Sequence, residues 1–134
     1  MKLFISLGAI NAFLAVALGA FGAHMLEGRI PNKYLGTWEK AVMYQMFHAL
    51  GLLVVGILAG RFGSQSFINW SGWLMFIGII LFSGSLYVLS VTQIKILGAI
   101  TPLGGVSFLA AWILMVLAVN KYLTDSNIKL DAII

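Results

Sequence analysis

One stretch of the sequence carries polar side chains inside an otherwise apolar run: YQMFHALGLL, residues 44–53. Tyr44 and His48 are four residues apart, and Gln45 precedes His48 by three, so all three lie on adjoining parts of one helix face. An unpaired amide or imidazole in hydrocarbon costs several kcal/mol, so these groups should find partners inside the protein. Two uses fit the pattern. One is a site for a small molecule, a metal ion or a proton, and the other is hydrogen bonding between helices.

The two histidines raise the question of a metal or a haem. His24 ends the first apolar run, and His48 lies roughly 10 Å deeper from the same membrane side. Haem with two histidine ligands needs both at similar depth, so the offset disfavours haem. Met25, Met43 and Met46 would suit Cu(I) together with imidazole, but methionine more often fills gaps in a core. We therefore predict no metal site and no cofactor.

We predict one polar cluster that binds a ligand or joins the helices. Its members are the polar side chains within or at the ends of the apolar runs: Asn11, His24, Tyr44, Gln45, His48, Ser83, Ser85, Tyr87 and Thr101. No Asp or Glu lies inside any apolar run, so the buried carboxylate of a proton-coupled cation exchanger is absent. The two serines have no nearby acid to orient a histidine, which excludes a hydrolytic triad. The sequence offers no catalytic residues and favours a non-enzymatic role.

The composition requires lipid as the solvent for most of the surface. Of the 134 residues, 61% are hydrophobic and 9% are charged, and the mean hydropathy is +1.03. A soluble domain has about 25% charged residues. The formal net charge is +4, but the eight basic residues are dispersed along the chain, so we predict no nucleic-acid partner. The absence of cysteine excludes disulfides, thiolate metal sites and cysteine nucleophiles.

Four apolar runs are long enough to cross a bilayer, at about residues 3–23, 41–60, 68–90 and 97–119. Each should be a helix, because backbone groups left unpaired in lipid are costly. The first run could instead be a signal peptide, but it exceeds the apolar core of about 7–15 residues typical of one, so we predict a retained span. Short connections make neighbouring spans antiparallel. The predicted fold is all-α: a compact antiparallel bundle of four transmembrane helices in one domain, residues 1–122, with a polar, fraying tail at 123–134.

One polar connection is extended: EGRIPNKYLGTWE, residues 27–39. Pro31 and Gly36 interrupt it, and we predict that Lys33 to Trp38 form a short amphipathic turn on the membrane surface. Lysine and arginine are equally divided between the two sides of the membrane, so their distribution does not choose an orientation.

Small residues predict where helices pack closely, since helix association in lipid relies on close backbone approach. The first run carries small residues at spacings of three and four, and the fourth run does so around Pro102, which we predict to bend that helix. The predicted packing residues are Gly8, Gly19, Gly22, Gly84, Gly98, Pro102, Gly104 and Gly105.

Four segments in order resemble one protein family: ALGAFGAHML (17–26), YQMFHALGLL (44–53), LFSGSLYVL (81–89) and TPLGGVSFLAAW (101–112). They resemble the small bacterial membrane proteins of the domain of unknown function 423, a family related to the eukaryotic transmembrane protein 256 group. The resemblance covers nearly the whole chain apart from the loop and the tail. It implies a four-span protein of the bacterial inner membrane and no particular activity. The family pattern includes the histidines but not the methionines, which further disfavours copper.

Three functions remain open. The leading hypothesis is a non-enzymatic membrane scaffold, or a protein associated with lipids or a small molecule; its partners are membrane lipids, a small-molecule ligand and further copies of the chain. The second is a transporter or channel subunit for a small solute with His48 as the protonatable group, which predicts a continuous polar path or an inverted repeat; no clear repeat is visible. The third is a redox protein that binds haem or quinone.

Overall fold

The structure is a computed structural model that describes residues 1–63 and 65–132. Within those residues it contains helices and no strands, as predicted. In chain order the helices are α1 (Lys2–Phe21) with a π-helical turn (Gly22–Leu26), α2 (Asn32–Phe62), α3 (Ser66–Gly78) with a π-helical turn (Ile79–Gly84), α4 (Ser85–Thr92), a 3-10 turn (Lys95–Ala99) and α5 (Thr101–Asp131).

These helices form four segments that are long and apolar enough to cross a membrane. We call them the first to the fourth span: Lys2–Leu26, Asn32–Phe62, Ser66–Thr92 and Lys95–Asp131. The prediction of a four-span helical bundle is confirmed, and each span is longer than the apolar run from which it was predicted.

The second span begins earlier than expected. α2 starts at Asn32, directly after Pro31, so Lys33–Trp38 form its first turns and not a separate turn on the membrane surface. Gly36 lies inside this helix, where an added Cβ would meet nothing within 4 Å. A single glycine weakens a helix by about 1 kcal/mol, and the packing of the neighbouring turns outweighs that cost.

The fourth span ends later than expected. α5 continues to Asp131, so residues 123–131 of the predicted tail are helical, and its residues 133–134 lie outside the described residues. No glycine or proline follows Gly105 to interrupt the helix. The hydroxyls of Thr124 and Ser126 each donate to a carbonyl four residues back, so these two polar side chains are satisfied within the helix.

Pro102 does not bend the fourth span. It lies in the first turn of α5, after the 3-10 turn. The backbone N–H groups of a first turn have no partner inside the helix, so a proline there removes no helical hydrogen bond. The predicted bend is wrong for this reason.

The spans pack as a row in chain order. The first packs on the second, the second on the third and the third on the fourth. The backbones of the second and fourth spans come close at few positions, and these two spans meet mainly through aromatic side chains. Leu52, Val55, Ile68 and Met75 are fully buried at the centre of the row. A row of this kind leaves one groove between the first and third spans and another between the second and fourth.

Three of the predicted packing glycines lie at close helix contacts. A Cβ on Gly8 would lie 2.8 Å from the carbonyl oxygen of Ala49, and one on Gly22 would lie 2.6 Å from the Trp38 ring. A Cβ on Gly104 would collide with the backbone of Phe82. These positions therefore need glycine to let neighbouring spans approach. At Gly19 the contact is looser: a Cβ there would lie 3.3 Å from the Val42 side chain.

The other predicted packing glycines have room. A Cβ would meet nothing within 4 Å at Gly84, and its nearest neighbour would lie 3.6 Å away at Gly98 and 4.0 Å away at Gly105. Close contacts that were not predicted occur instead at Gly51, Gly56, Gly60, Gly72 and Gly78. Gly84 and Gly105 line cavities, and the absent side chains leave those cavities open.

Candidate functional site

A chain of hydrogen bonds links the first three spans. The Tyr87 hydroxyl donates to Gln45 Oε1 over 2.6 Å, and Gln45 Nε2 donates to Asn11 Oδ1 over 3.1 Å. Asn11 Nδ2 in turn donates to the Leu7 carbonyl over 2.8 Å. Asn11 and Gln45 are only 6% and 4% exposed. The amides therefore bond to each other across the helices, as groups removed from water require.

His48 bonds through both of its ring nitrogens. Its Nδ1 lies 2.7 Å from the Tyr44 carbonyl, which can only accept, so Nδ1 carries the proton. Trp112 Nε1 donates to His48 Nε2 over 3.2 Å. The imidazole also stacks on Phe108, with 3.4 Å between ring centroids and 11° between planes. In this arrangement His48 is a neutral wall residue with no nitrogen free to bind a metal or haem iron.

Tyr44 differs from its polar neighbours. Its ring stacks on Phe82, with 4.3 Å between centroids, and lies within 6.3 Å of the Phe108 ring centroid. Within residues 1–63 and 65–132 its hydroxyl makes no hydrogen bond, whereas those of Tyr87 and Ser83 do. Tyr44 thus supplies a donor and acceptor that the described protein leaves unused.

The second and fourth spans enclose two adjoining cavities of about 250 and 410 Å³, both lined by Tyr44, His48 and Trp112. We call them together the aromatic groove. The remaining wall residues come from the second, third and fourth spans: Met43, Phe47, Phe82, Gly105, Phe108 and Leu109. Phe47 is 64% and Leu109 is 68% exposed, so the groove opens on the lipid-facing surface.

A separate cavity of about 270 Å³ lies between the first and third spans, with the second span as its floor. We call it the polar cleft. Its polar walls are Asn11, Gln45, Ser83 and Tyr87, and its apolar walls are Leu18, Ile79, Ile80 and Gly84. Ile80 is 53% exposed at its edge, so this cavity also opens toward lipid.

The π-helical turn Ile79–Gly84 in the third span lines both cavities. Phe82 faces the aromatic groove, and Ser83 and Gly84 face the polar cleft. The Ser83 hydroxyl donates to the Ala41 carbonyl over 2.8 Å, which fixes the turn against the second span. Single π turns inside helices are frequent at functional sites. Nothing in the sequence analysis indicated this turn.

The predicted cluster is therefore divided in the structure. Ser85 lies 2.7 Å from Thr101, oxygen to oxygen, and this pair joins the third span to the start of α5 outside both cavities. His24 is exposed in the first span's π-helical turn, and it makes no side-chain hydrogen bond within the part of the chain that the structure describes. His24 is not brought to His48.

Sequence reasoning missed Trp38 and Trp112. Trp38 is 5% exposed, donates from Nε1 to the Leu18 carbonyl over 2.8 Å and lies 4.6 Å from the Tyr87 ring, centroid to centroid. It lies in the segment predicted as a surface connection, which concealed its role. Trp112 was not among the predicted site residues. Its spacing of four from Phe108 was the available signal that both line one face.

Among the described residues, no group of three His, Cys, Asp or Glu side chains could hold a metal ion. No Asp, Glu, Lys or Arg from the described part of the chain lines either cavity. The structure thus defines a four-span helical membrane protein whose aromatic groove and polar cleft are both uncharged and open toward lipid.

Comparison with known proteins agrees with this class. The family model of DUF423, a protein of unknown function, matches residues 18–105, and the chain belongs to this family. It is 65% identical to the UPF0382 membrane protein YwdK of Bacillus subtilis over 92% of this chain and 100% of the relative. A UPF0382 membrane protein of Staphylococcus epidermidis is 57% identical over 91% of this chain and 98% of its own length. No solved structure matches the chain.

These comparisons confirm the resemblance seen in the sequence. The relatives are bacterial and are named membrane proteins, and the four apolar helices of this chain fit a multi-pass protein of the bacterial cell membrane. The family description assigns no activity.

Proposed function

We propose that this protein is a non-enzymatic membrane protein that binds a lipid-soluble molecule in the aromatic groove. The observation that carries the proposal is the Tyr44 hydroxyl, which lacks a partner in the described protein although its ring lines a cavity open to lipid. A polar group in hydrocarbon gains free energy when it finds a partner. A molecule entering from the bilayer can supply one.

The groove selects its occupant mainly by shape and by one polar contact. Lipid tails are as apolar as the groove walls, so hydrophobic transfer does not drive a chain from the bilayer into the groove. Van der Waals contact with the stacked rings and a hydrogen bond to Tyr44 remain as sources of selectivity. The expected occupant is therefore an apolar molecule with a carbonyl that accepts from Tyr44, either an acyl ester or an isoprenoid quinone.

His48 shapes this site without donating to the occupant. It holds Trp112 by a hydrogen bond and Phe108 by stacking, so it positions two of the groove walls. Because both ring nitrogens are already bonded, the carbonyl would be bound by Tyr44 and not by His48.

Photo-crosslinking tests the proposal. The protein in liposomes is illuminated with a diazirine-bearing fatty acid methyl ester, and the labelled peptides are mapped by mass spectrometry. Label should concentrate on residues 43–48 and 105–112, which line the groove. The Tyr44→Phe variant should label about threefold less, the equivalent of one intramembrane hydrogen bond of about 0.6 kcal/mol. Tyr122→Phe, which removes a hydroxyl outside the groove, is the matched control.

Competition identifies the source of the carbonyl. Unlabelled methyl oleate or an isoprenoid quinone is added, and the better competitor shows whether the groove prefers an acyl ester or a quinone. Label spread evenly over lipid-facing residues such as Ile10 and Phe13, and unchanged by Tyr44→Phe, would contradict a specific site in the groove.

A further inference from the structure

We propose that the polar cleft is a second binding site, independent of the aromatic groove, and that it takes an uncharged lipid with a free hydroxyl. The Asn11 and Gln45 amides donate to the hydroxyl oxygen, and the Tyr87 or Ser83 oxygen accepts its proton. The two sites differ in chemistry, because the groove offers one hydroxyl among aromatic rings and the cleft offers four polar side chains.

Unused hydrogen-bonding capacity supports this assignment. A carboxamide nitrogen carries two hydrogens, and Asn11 and Gln45 each use one within the described residues. Tyr87 and Ser83 each donate one hydrogen bond, and in residues 1–63 and 65–132 neither oxygen accepts one. The cleft is thus lined by spare donors and spare acceptors at the same time, and both amides are more than nine-tenths buried.

The charge of the lining decides the kind of head group. None of the cleft residues carries a charge, so a phosphate or carboxylate would enter without a counter-ion, and burying an unpaired charge is far more costly than burying a hydroxyl. A hydroxyl both donates and accepts, which matches the two kinds of spare group. An ester or an acetate accepts only and would leave the tyrosine and serine oxygens unmatched.

The opening of the cleft decides where the molecule comes from. Ile80 is exposed at the edge, Leu18 forms part of the wall, and Gly84 leaves space where a side chain would stand. An apolar body can remain in the bilayer beside Ile80 while its hydroxyl enters the cleft. Diacylglycerols and isoprenoid alcohols share this chemistry.

Gly84 offers a means to close the cleft without disturbing the fold. It has helical backbone angles, φ −58° and ψ −47°, and an added Cβ meets nothing within 4 Å. Gly84→Leu should therefore fill the cavity from its wall and leave the hydrogen-bond chain intact. Gly105→Leu fills the aromatic groove in the same manner, since the nearest atom to its Cβ would be 4.0 Å away. Each variant is the control for the other.

The test uses native mass spectrometry of the full-length Gly105→Leu protein in detergent, in which the aromatic groove is filled and takes no ester. It is titrated with 1,2-dioleoylglycerol, with geranylgeraniol and with the acetate ester of each. We expect one of the free alcohols to bind at a stoichiometry of one and its acetate to bind about threefold more weakly, the loss of the one intramembrane hydrogen bond that the hydroxyl donates. Adding Gly84→Leu to Gly105→Leu should abolish this binding.

Each outcome has a defined meaning. Binding of either alcohol with loss on acetylation supports the proposal and identifies the apolar body. Equal binding of alcohol and acetate overturns it, and binding of neither alcohol also overturns it and leaves the cleft as a hydrogen-bond network that fills with water. The acetate comparison is made in Gly105→Leu, where the aromatic groove is filled, so it holds even if Gly84→Leu does not fold. Loss of the aromatic-groove occupant in Gly105→Leu reports on the first site alone.

Discussion

At the scale of single residues, Gln45 is the centre of the polar network, since it accepts from the third span and donates to the first. The sequence predicted that Gln45, Asn11 and Tyr87 face the protein interior, because polar groups in a span need partners. It did not predict which residue bonds to which. Those pairings depend on the order of the spans in the row, and hydropathy does not contain that order.

Replacing Gln45 tests the network. Gln45→Leu leaves Asn11 Oδ1 and the Tyr87 hydroxyl without their partners. Two intramembrane hydrogen bonds at about 0.6 kcal/mol each, rising to about 1.7 for the strongest, predict a loss of roughly 1–3 kcal/mol in the free energy of unfolding. Unfolding in sodium dodecyl sulfate, followed by circular dichroism, measures this loss.

Tyr87→Phe is the matched control for that substitution, because it removes only the bond between Tyr87 and Gln45. It should cost about half as much as Gln45→Leu. If the two variants lose equal stability, the bond between Gln45 and Asn11 contributes nothing.

The bonding of His48 leads to a spectroscopic prediction. Both His48 nitrogens bond within the protein, and His24 is exposed on another part of the first span. We therefore expect purified protein supplied with haem to show no Soret shift of a bis-histidine complex. Absorbance of wild type beside His48→Ala measures this. A shifted Soret band that is lost in His48→Ala would support the redox hypothesis instead.

At the scale of elements, the hydropathy pattern predicted the four spans, but the helix ends and the π-helical turns were not predictable. α2 and α5 extend past their apolar runs because nothing in the flanking polar residues ends a helix there. The turn Ile79–Gly84 depends on contacts such as Ser83 to Ala41, which are distant in sequence. The glycine pattern likewise predicted small residues at helix contacts without separating contacts from cavity walls.

The adjacent glycines Gly104 and Gly105 of α5 test the difference between a glycine at a helix contact and a glycine in a cavity wall. Gly104→Ala pushes against the Phe82 backbone and should lower stability by about 1–3 kcal/mol, as overpacking does. Gly105→Ala has its nearest neighbour at 4.0 Å and should leave stability unchanged or slightly higher. Thermal melting of both variants, monitored by circular dichroism, makes the comparison. Similar melting temperatures would contradict the close contact assigned to Gly104.

Truncation tests whether the C-terminal end of α5 contributes to the stability of the bundle. The Tyr122 ring stacks on Phe62 at 4.3 Å between centroids, whereas residues 123–132 are exposed. A chain that ends after Tyr122 should therefore keep the melting temperature of the full chain, and Tyr122→Ala should lower it. A large loss of stability on truncation would show that the helical end of α5 supports the bundle.

At the scale of the whole molecule, the row of spans explains why the residues of one predicted cluster are divided between the aromatic groove and the polar cleft. The first and third spans flank the second, and the second and fourth flank the third, so polar residues of the second span divide between the two grooves. Gln45 faces the polar cleft and Tyr44 faces the aromatic groove, although they are neighbours in sequence. Association with further copies of the chain stays a prediction, and the mass of the native protein will report it.

Native mass spectrometry of wild type beside Gly105→Leu, both extracted gently from bacterial membranes, tests the central claim most directly. We expect wild type to carry a lipid-soluble carbonyl compound of defined mass. Gly105→Leu, with the aromatic groove filled, should lack this compound and keep at most an alcohol bound in the polar cleft. Gly84→Leu should keep the carbonyl compound. Wild type free of any bound carbonyl compound, or equal occupancy by that compound in wild type and Gly105→Leu, would contradict a binding site in the aromatic groove.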